Sequence, residues 1–370
     1  MNDPIFYDKE LQKLEDELSE SDDCGDQPPA GITTYSELRS CADIYRMYKG
    51  SQLNITPKFQ REANVWPITS QTRFIDSLIK KLPIPSMCFS LDTNTEQRMV
   101  IDGLQRISTI IKFIEAAEAK TESDKWTLST LVDIERTLSG QEVSQIKNIN
   151  PKFISRVENA TIPITVVQCN TSEKSHMEYL FTIFHRLNSG GTKLNNQEIR
   201  NGIYGGDFND LLNELAKNPK HKKLFDISVN KGSRFAYQEL ILRFFSFESG
   251  YRNYTGRFSK FLNDYMFDRK NESQESVANK RAFFEQISEA IQTQILTADT
   301  SRKKISKSAF DGLMIGVAAS IKSGNKKNLL KKYETLINEP LFTIDNLKEG
   351  TASKTKIISR LDKAVSIFEK

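Results

Sequence analysis

The sequence predicts an α+β fold, with strands confined to the first half and an all-helical second half. A β-branched run, "ATIPITVVQC" (160–169), is the clearest strand in the chain. "SMCFSLDT" (86–93) and "EQRMVID" (96–102) flank a "TNT" turn and read as a hairpin. Beyond residue 207 strand signals vanish, and 235–247, 273–297, 305–322, 326–338 and 353–369 read as successive helices of a bundle.

Taken in order, "DKELQKLEDELSE" (8–20) has the leucine spacing of a short amphipathic helix, and "SDDCGDQPPAG" (21–31) breaks it with Pro, Gly and charge. A helix is expected over 35–50 and a short extended piece over 52–59. Residues 69–81 should be helical, with Thr69 as N-cap and Phe74, Ile75, Leu78 and Ile79 on one face, ending before the two prolines of "LPIP" (82–85). Ile107, Ile110, Ile111 and Ile114 recur at helical spacing and predict a helix over 104–119. Residues 120–158 are polar and weakly patterned. A strong helix over 172–188 is closed by "SGG" (189–191), and another begins in 195–206. Three segments result: an acidic arm and linker (1–31), an α/β domain (32–206) and a helical domain (207–370).

With 370 residues, 38% hydrophobic and 27% charged, the chain has room for two cores. No apolar run approaches the roughly 20 residues that cross a bilayer, and the leading "MNDPIFYDKE" has no basic, apolar export signal, so a cytoplasmic protein is expected. Cys24, Cys41, Cys88 and Cys169 are scattered without a CxxC pair, which argues against zinc or a disulfide framework. The three histidines, His176, His185 and His221, leave catalysis to carboxylates, amides and arginines. Residues 1–30 hold ten acidic and two basic side chains, net −8, leaving 50 basic and 38 acidic, net +12, on the remainder. A basic body attracts phosphates, and an acidic arm can screen that surface or bind a partner.

The chemistry concentrates where the hairpin hands over to a helix, at Asp102-Gly103-Leu104-Gln105-Arg106. A helix N-terminus offers unpaired N–H groups and a partial positive charge, glycine lets a ligand's phosphate approach, and Gln105 and Arg106 add donors. Asp102 can orient Arg106, hold a metal or position a water. Asp-Gly is also a common turn and Asp a common helix cap, so the pentapeptide alone does not separate these uses. A second cluster, "FHRLNSGGTKLNNQEIRNG" (184–202), brings Arg186, Asn188, Gly190, Gly191, Glu198 and Arg200 within a short stretch; the glycines also suit a helix C-cap. A third, "FQREANVW" (59–66), places Arg61 near Trp66, itself a candidate core residue.

In order, "R…VW", a helix and "LPIP", "VIDGLQR" and "IFHRLNSGGTKLNNQEIRNG" resemble the N-terminal domain of GmrSD-type modification-dependent restriction enzymes, over roughly 35–205. The resemblance implies a ParB/sulfiredoxin-like fold for the N-terminal domain. It also implies a site that binds and hydrolyses nucleoside triphosphates, with hydrolysis gating cleavage of foreign or modified DNA. The family's Asp-Gly-Gln-Gln-Arg motif falls on Asp102 to Arg106, with Leu104 where the third residue is often glutamine; its Asn-Gly loop corresponds to Asn188, Gly190 and Gly191. Sulfiredoxin chemistry requires a cysteine at the turn, and 102–106 has none. The HNH-like nuclease domain of GmrSD-type proteins requires histidine, but the last one here is His221, so a separate nuclease or defence subunit is the expected partner.

The resulting expectation is a nucleotide-binding, hydrolysing sensor or regulator of a restriction or anti-phage system. Asp102, Gln105 and Arg106 would be catalytic. Arg61, Gly103, Gln105, Arg106, Arg186, Asn188 and Gly190 would bind the nucleotide, and Asp102 would carry Mg²⁺. The alternative is a non-catalytic DNA-binding module or interaction scaffold that uses the basic body.

Overall fold

The computed structural model describes residues 8–20, 27–55, 66–187, 194–229, 235–296, 304–351 and 353–370. The chain divides into two compact units: Gly25–Lys193, and Met1–Cys24 together with Leu194–Lys370.

The first unit is built on a five-stranded mixed sheet of order β1-β5-β3-β4-β2. Its strands are β1 (Thr33–Ser40), β2 (Leu53–Asn54), β3 (Met87–Asp92), β4 (Arg98–Asp102) and β5 (Thr161–Cys169). The expected hairpin forms, with β3 and β4 antiparallel, and β5 lies parallel to β3 and antiparallel to β1. Among the described residues, the unit's helices are α2 (Cys41–Lys49), α3 (Ile68–Ile79), α4 (Leu104–Ala117), α5 (Val143–Ile149), α6 (Pro151–Glu158) and α7 (Lys174–Leu187). The α4 isoleucines at 107, 110, 111 and 114 are buried as their spacing requires, in one core with Ile75, Phe89, Ile164 and Val166.

One expectation is corrected by the structure, and one stretch left without elements gains two helices. The first half of the helix expected over 35–50 is β1, a sheet edge whose residues are largely exposed, so no apolar alternation marks it. Ser40 then caps α2 in a capping box with Asp43. The weakly patterned 120–158 holds α5 and α6, the latter started by Pro151 at its first position.

In the second unit every described element is helical: α1 (Lys9–Ser19), α8 (Asn196–Ile203), α9 (Asp207–Lys217), α10 (Lys222–Asp226), α11 (Ala236–Gly250), α12 (Phe258–Arg269), α13 (Gln274–Gln294), α14 (Lys307–Lys322), α15 (Leu329–Ile337), α16 (Ile344–Lys348) and α17 (Lys354–Glu369), with short 3-10 turns. The boundaries differ from those expected, because α1 of the acidic arm is part of this unit and so is α8. The reason is electrostatic. The buried Glu15 carboxylate accepts the N–H groups of Lys307 and Ser308 at 2.9 and 2.8 Å and the Ser308 hydroxyl at 2.7 Å, so it caps α14. Glu20 accepts the Asn196 N–H at the start of α8, and Lys348 pairs with Asp8 and Glu10. Further in, Lys307 lies 3.2 Å from Glu239. Burial pushes the Glu239 carboxyl up, but Lys307 and Arg243 outweigh it and hold it at about 2.

Glu15→Ala leaves two amides and a hydroxyl without that acceptor in a closed site. It should lower the stability of the chain by about 3 kcal/mol, read from the urea midpoint. An unchanged midpoint would show that the start of α14 does not depend on α1.

Candidate functional site: the turn between β4 and α4

β4 ends at Asp102, Gly103 is the N-cap of α4, and Leu104 begins the helix. Gly103 has φ +96°, in the left-handed region, and a Cβ there would stand 2.7 Å from Met87 Cγ. Glycine is required twice, by backbone angle and by space. No hydrogen bond to the amides of Leu104, Gln105 or Arg106 is present among the described residues, and no side chain caps the helix; the first ladder bond runs from Ile107 N–H to Gly103 O at 2.9 Å. Three donors and the positive end of a fourteen-residue helix are therefore gathered in one turn.

The Arg106 side chain, 13% exposed, folds back onto the sheet. Its Nη2 donates to Asp102 Oδ2 at 2.8 Å and to the Ser86 carbonyl at 3.3 Å, and Nη1 donates to the Pro85 carbonyl. Burial lowers the guanidinium pKa from its ordinary value and Asp102 opposes that. The expected role of Asp102 in orienting Arg106 is thus present. The expected aim of Arg106 at a phosphate is not its state here, since the guanidinium spans Asp102 and the two carbonyls that lead into β3.

Gln105 is also partly committed. Its Oε1 accepts the Trp66 N–H at 3.0 Å, while Gln71 donates to the Trp66 carbonyl at 2.7 Å. Trp66 is therefore fixed from both sides of its backbone, by the first turns of α3 and α4, and its ring meets Phe74 edge-on. Leu104, at the position that departs from the family motif, packs against the core.

Of the other expected binding residues, Arg186 is exposed on the last turn of α7, a helix packed against β4. Arg61, Asn188, Gly190 and Gly191 lie outside the described residues. Glu198 and Arg200 fall in the helical unit. Both are completely buried on α8, where Arg200 donates to Asn263 Oδ1 at 2.7 Å and to Ser259 Oγ at 3.0 Å. Burial explains why so polar a motif stands there: it supplies hydrogen bonds inside a core.

Cys88, one of the scattered cysteines of the sequence, stands opposite Asp102 across the β3–β4 pair. Burial first, and Asp102 second, push its thiol up to about 12, so it is a neutral packed group and no nucleophile. Among the described residues no three His, Cys, Asp or Glu are grouped to hold a metal, and no helix is long and apolar enough to cross a membrane.

A groove of about 600 Å³ lies beside the Leu82–Pro85 segment that leads to those carbonyls. Leu78, Leu82 and Ile84 form an apolar wall, and Lys81, Lys152 and Arg156 line it without a carboxylate.

Residues 42–205 match the family model of the GmrSD restriction endonuclease, N-terminal domain. The match spans the turn and every binding residue expected from the sequence, and it makes this part of the chain similar to a domain of restriction systems. Comparison with the curated proteins and with the solved structures finds no match.

In the sheet unit, Gly103→Ala should cost about 2 kcal/mol of stability, since it meets both a left-handed backbone and Met87. Gly202→Ala, where a Cβ meets nothing within 4 Å, is the control. Equal thermal midpoints for the two variants would contradict the geometry described.

Proposed function

We propose that the GmrSD-type domain binds and slowly hydrolyses a nucleoside triphosphate as the sensor or regulatory component of a restriction or anti-phage system acting on foreign or modified DNA. The observation that carries this reading is the start of α4: three amides without acceptors behind a glycine that admits a close approach, which is the chemistry a phosphate group requires. Gly103 and the amides of Leu104, Gln105 and Arg106 receive phosphate oxygens. Asp102 keeps Arg106 charged and oriented, and the Gln105 amide group and Arg186 add donors around the ligand. Arg61, Asn188 and Gly190 complete the pocket in this reading. Phosphoryl transfer depends on positioning and charge neutralisation, so a site built without histidine or cysteine suffices.

A divalent cation fits this site only in a limited way. Mg²⁺ keeps several waters and binds through one or two carboxylates plus substrate phosphates, and the turn supplies one carboxylate, Asp102. Asp102 would hold the ion, which would neutralise charge on the phosphates. The protein's own contribution remains the amides and the orientation of Arg106. DNA cleavage falls to a separate nuclease or defence subunit.

Calorimetric titration of the full chain with ATP, GTP, CTP and UTP plus Mg²⁺ tests the reading. One nucleotide should bind with a Kd of about 1–100 µM and lose at least about tenfold in Arg106→Ala, whose thermal unfolding reports whether the fold survives. Phosphate release that disappears in Asp102→Asn assigns hydrolysis to the same turn. Absence of heat with all four nucleotides would overturn the proposal.

The basic groove favours a second reading, a DNA-binding module. Its three cations line it with no carboxylate beside them among the described residues, which suits an anionic backbone. This reading expects affinity for duplex DNA to fall steeply with salt without any nucleotide. Replacing Lys81, Lys152 and Arg156 together by Ala should flatten the log–log salt slope by about 2–3 in fluorescence anisotropy. An unchanged slope would remove the groove from consideration.

A further inference from the structure

Among the described residues β1 is an edge of the sheet, paired on one side only, with β5. Most of its eight residues are exposed, and Leu38 is 69% exposed. Edges of this length are usually blunted by proline, lysine or a covering element, because their free N–H and C=O groups template another strand. "TTYSELRS" has neither proline nor lysine.

The ladder shows which backbone groups are free. Cys41 N–H donates to the Ala160 carbonyl at 2.9 Å, and the register runs on through Arg39 opposite Ile162, Glu37 opposite Ile164 and Tyr35 opposite Val166. Bonded residues alternate in an antiparallel pair, so these odd positions face β5, and Ser36 and Leu38 direct their backbone groups away from the sheet. Ser40 N–H, of the same parity, is held by Asp43 at 3.3 Å.

We propose that β1 is a homodimerisation edge: two copies of this chain pair antiparallel about a two-fold axis at Leu38, and their sheets join into one. The sequence around that axis is charge-palindromic, Glu37-Leu38-Arg39. Pairing about Leu38 sets Glu37 of each copy opposite Arg39 of the other and Leu38 opposite Leu38. The parity agrees: Leu38 exchanges backbone bonds with its counterpart, Ser36 N–H meets the Ser40 carbonyl, and Glu37 with Arg39 falls at the non-bonded positions, where side chains stand closest. Moving the axis one residue, to Glu37, keeps the parity but sets Glu37 against Glu37, so charge specifies the register. Within one copy Glu37 and Arg39 pair at 2.9 Å, and this leaves Glu37 Oε1 and Arg39 Nε buried without a hydrogen bond. Re-pairing across the axis supplies both. The palindrome favours a second copy over an unrelated extended peptide, which would share none of this symmetry.

The inference is independent of the nucleotide reading, because β1 is at the edge of the sheet away from β4 and its turn. One short strand per copy buries little area, so a dimer with a Kd of about 1–100 µM is expected. Sedimentation velocity on the full chain across that range should show the mass doubling with concentration. Glu37→Arg and Arg39→Glu should each weaken the dimer about tenfold or more, and the double variant Glu37→Arg/Arg39→Glu should restore it to within about threefold. A monomer at every concentration, single variants without effect, or a double variant no better than the singles would each overturn the proposal. Leu38→Cys, at an exposed position, guards against misfolding of the charge variants. It should form an interchain disulfide under mild oxidation, whereas the more exposed control Val132→Cys should not; equal crosslinking of the two counts against the axis.

Discussion

Four segments of the sheet unit meet at residues 102–106, and a guanidinium and an amide on consecutive residues hold them in place. Arg106 satisfies the carbonyls of Pro85 and Ser86, ahead of β3, together with the carboxylate that ends β4. Backbone carbonyls at a sheet margin need such a partner, since leaving one unsatisfied out of water costs as much as a lost hydrogen bond. Gln105 does the same for the Trp66 amide. Gly103 lets the chain pass Met87 closely enough for α4 to set its isoleucine face on the sheet. The side chains of the turn are thus occupied with construction, and its amides are left without an acceptor among the described residues. An anion arriving there would meet a donor set held rigid by those contacts, the condition under which electrostatic stabilisation is most effective.

The helical unit treats charge differently. The sequence reads as a chain with an acidic arm and a basic remainder, suggestive of a screen over a nucleic-acid surface. Part of that acidity is instead structural, since Glu15 and Glu20 occupy the starts of two helices and Asp8 and Glu10 pair with Lys348. The Asn-Asn-Gln-Glu-Ile-Arg stretch follows the same rule. Side chains that look like a ligand site in sequence satisfy one another and the backbone inside a core. A buried charge needs partners on every side, and helices distant in sequence supply them.

The hairpin, β5, α4 and α7 were legible because their apolar residues follow the period of the element and are bounded by turn residues. The Asp102 turn was legible for the same reason: a change of period marks the place where a strand gives way to a helix. β1 was not, because an edge strand with an exposed face carries no such pattern. α5 and α6 were missed because each is short and presents only two or three buried residues.

The sequence by itself determined the segregation of strands and helices, the location of the turn and the need for glycine within it, since these follow from local periodicity and backbone sterics. Only the tertiary structure decided where the polar side chains point: Arg106 toward the carbonyls before β3, Gln105 toward Trp66, Arg200 into the helical core, and Glu15 onto α14. Hydrogen-bond partners are chosen by proximity in space, and a sequence that places a donor fixes neither the acceptor it will meet nor the distance between them.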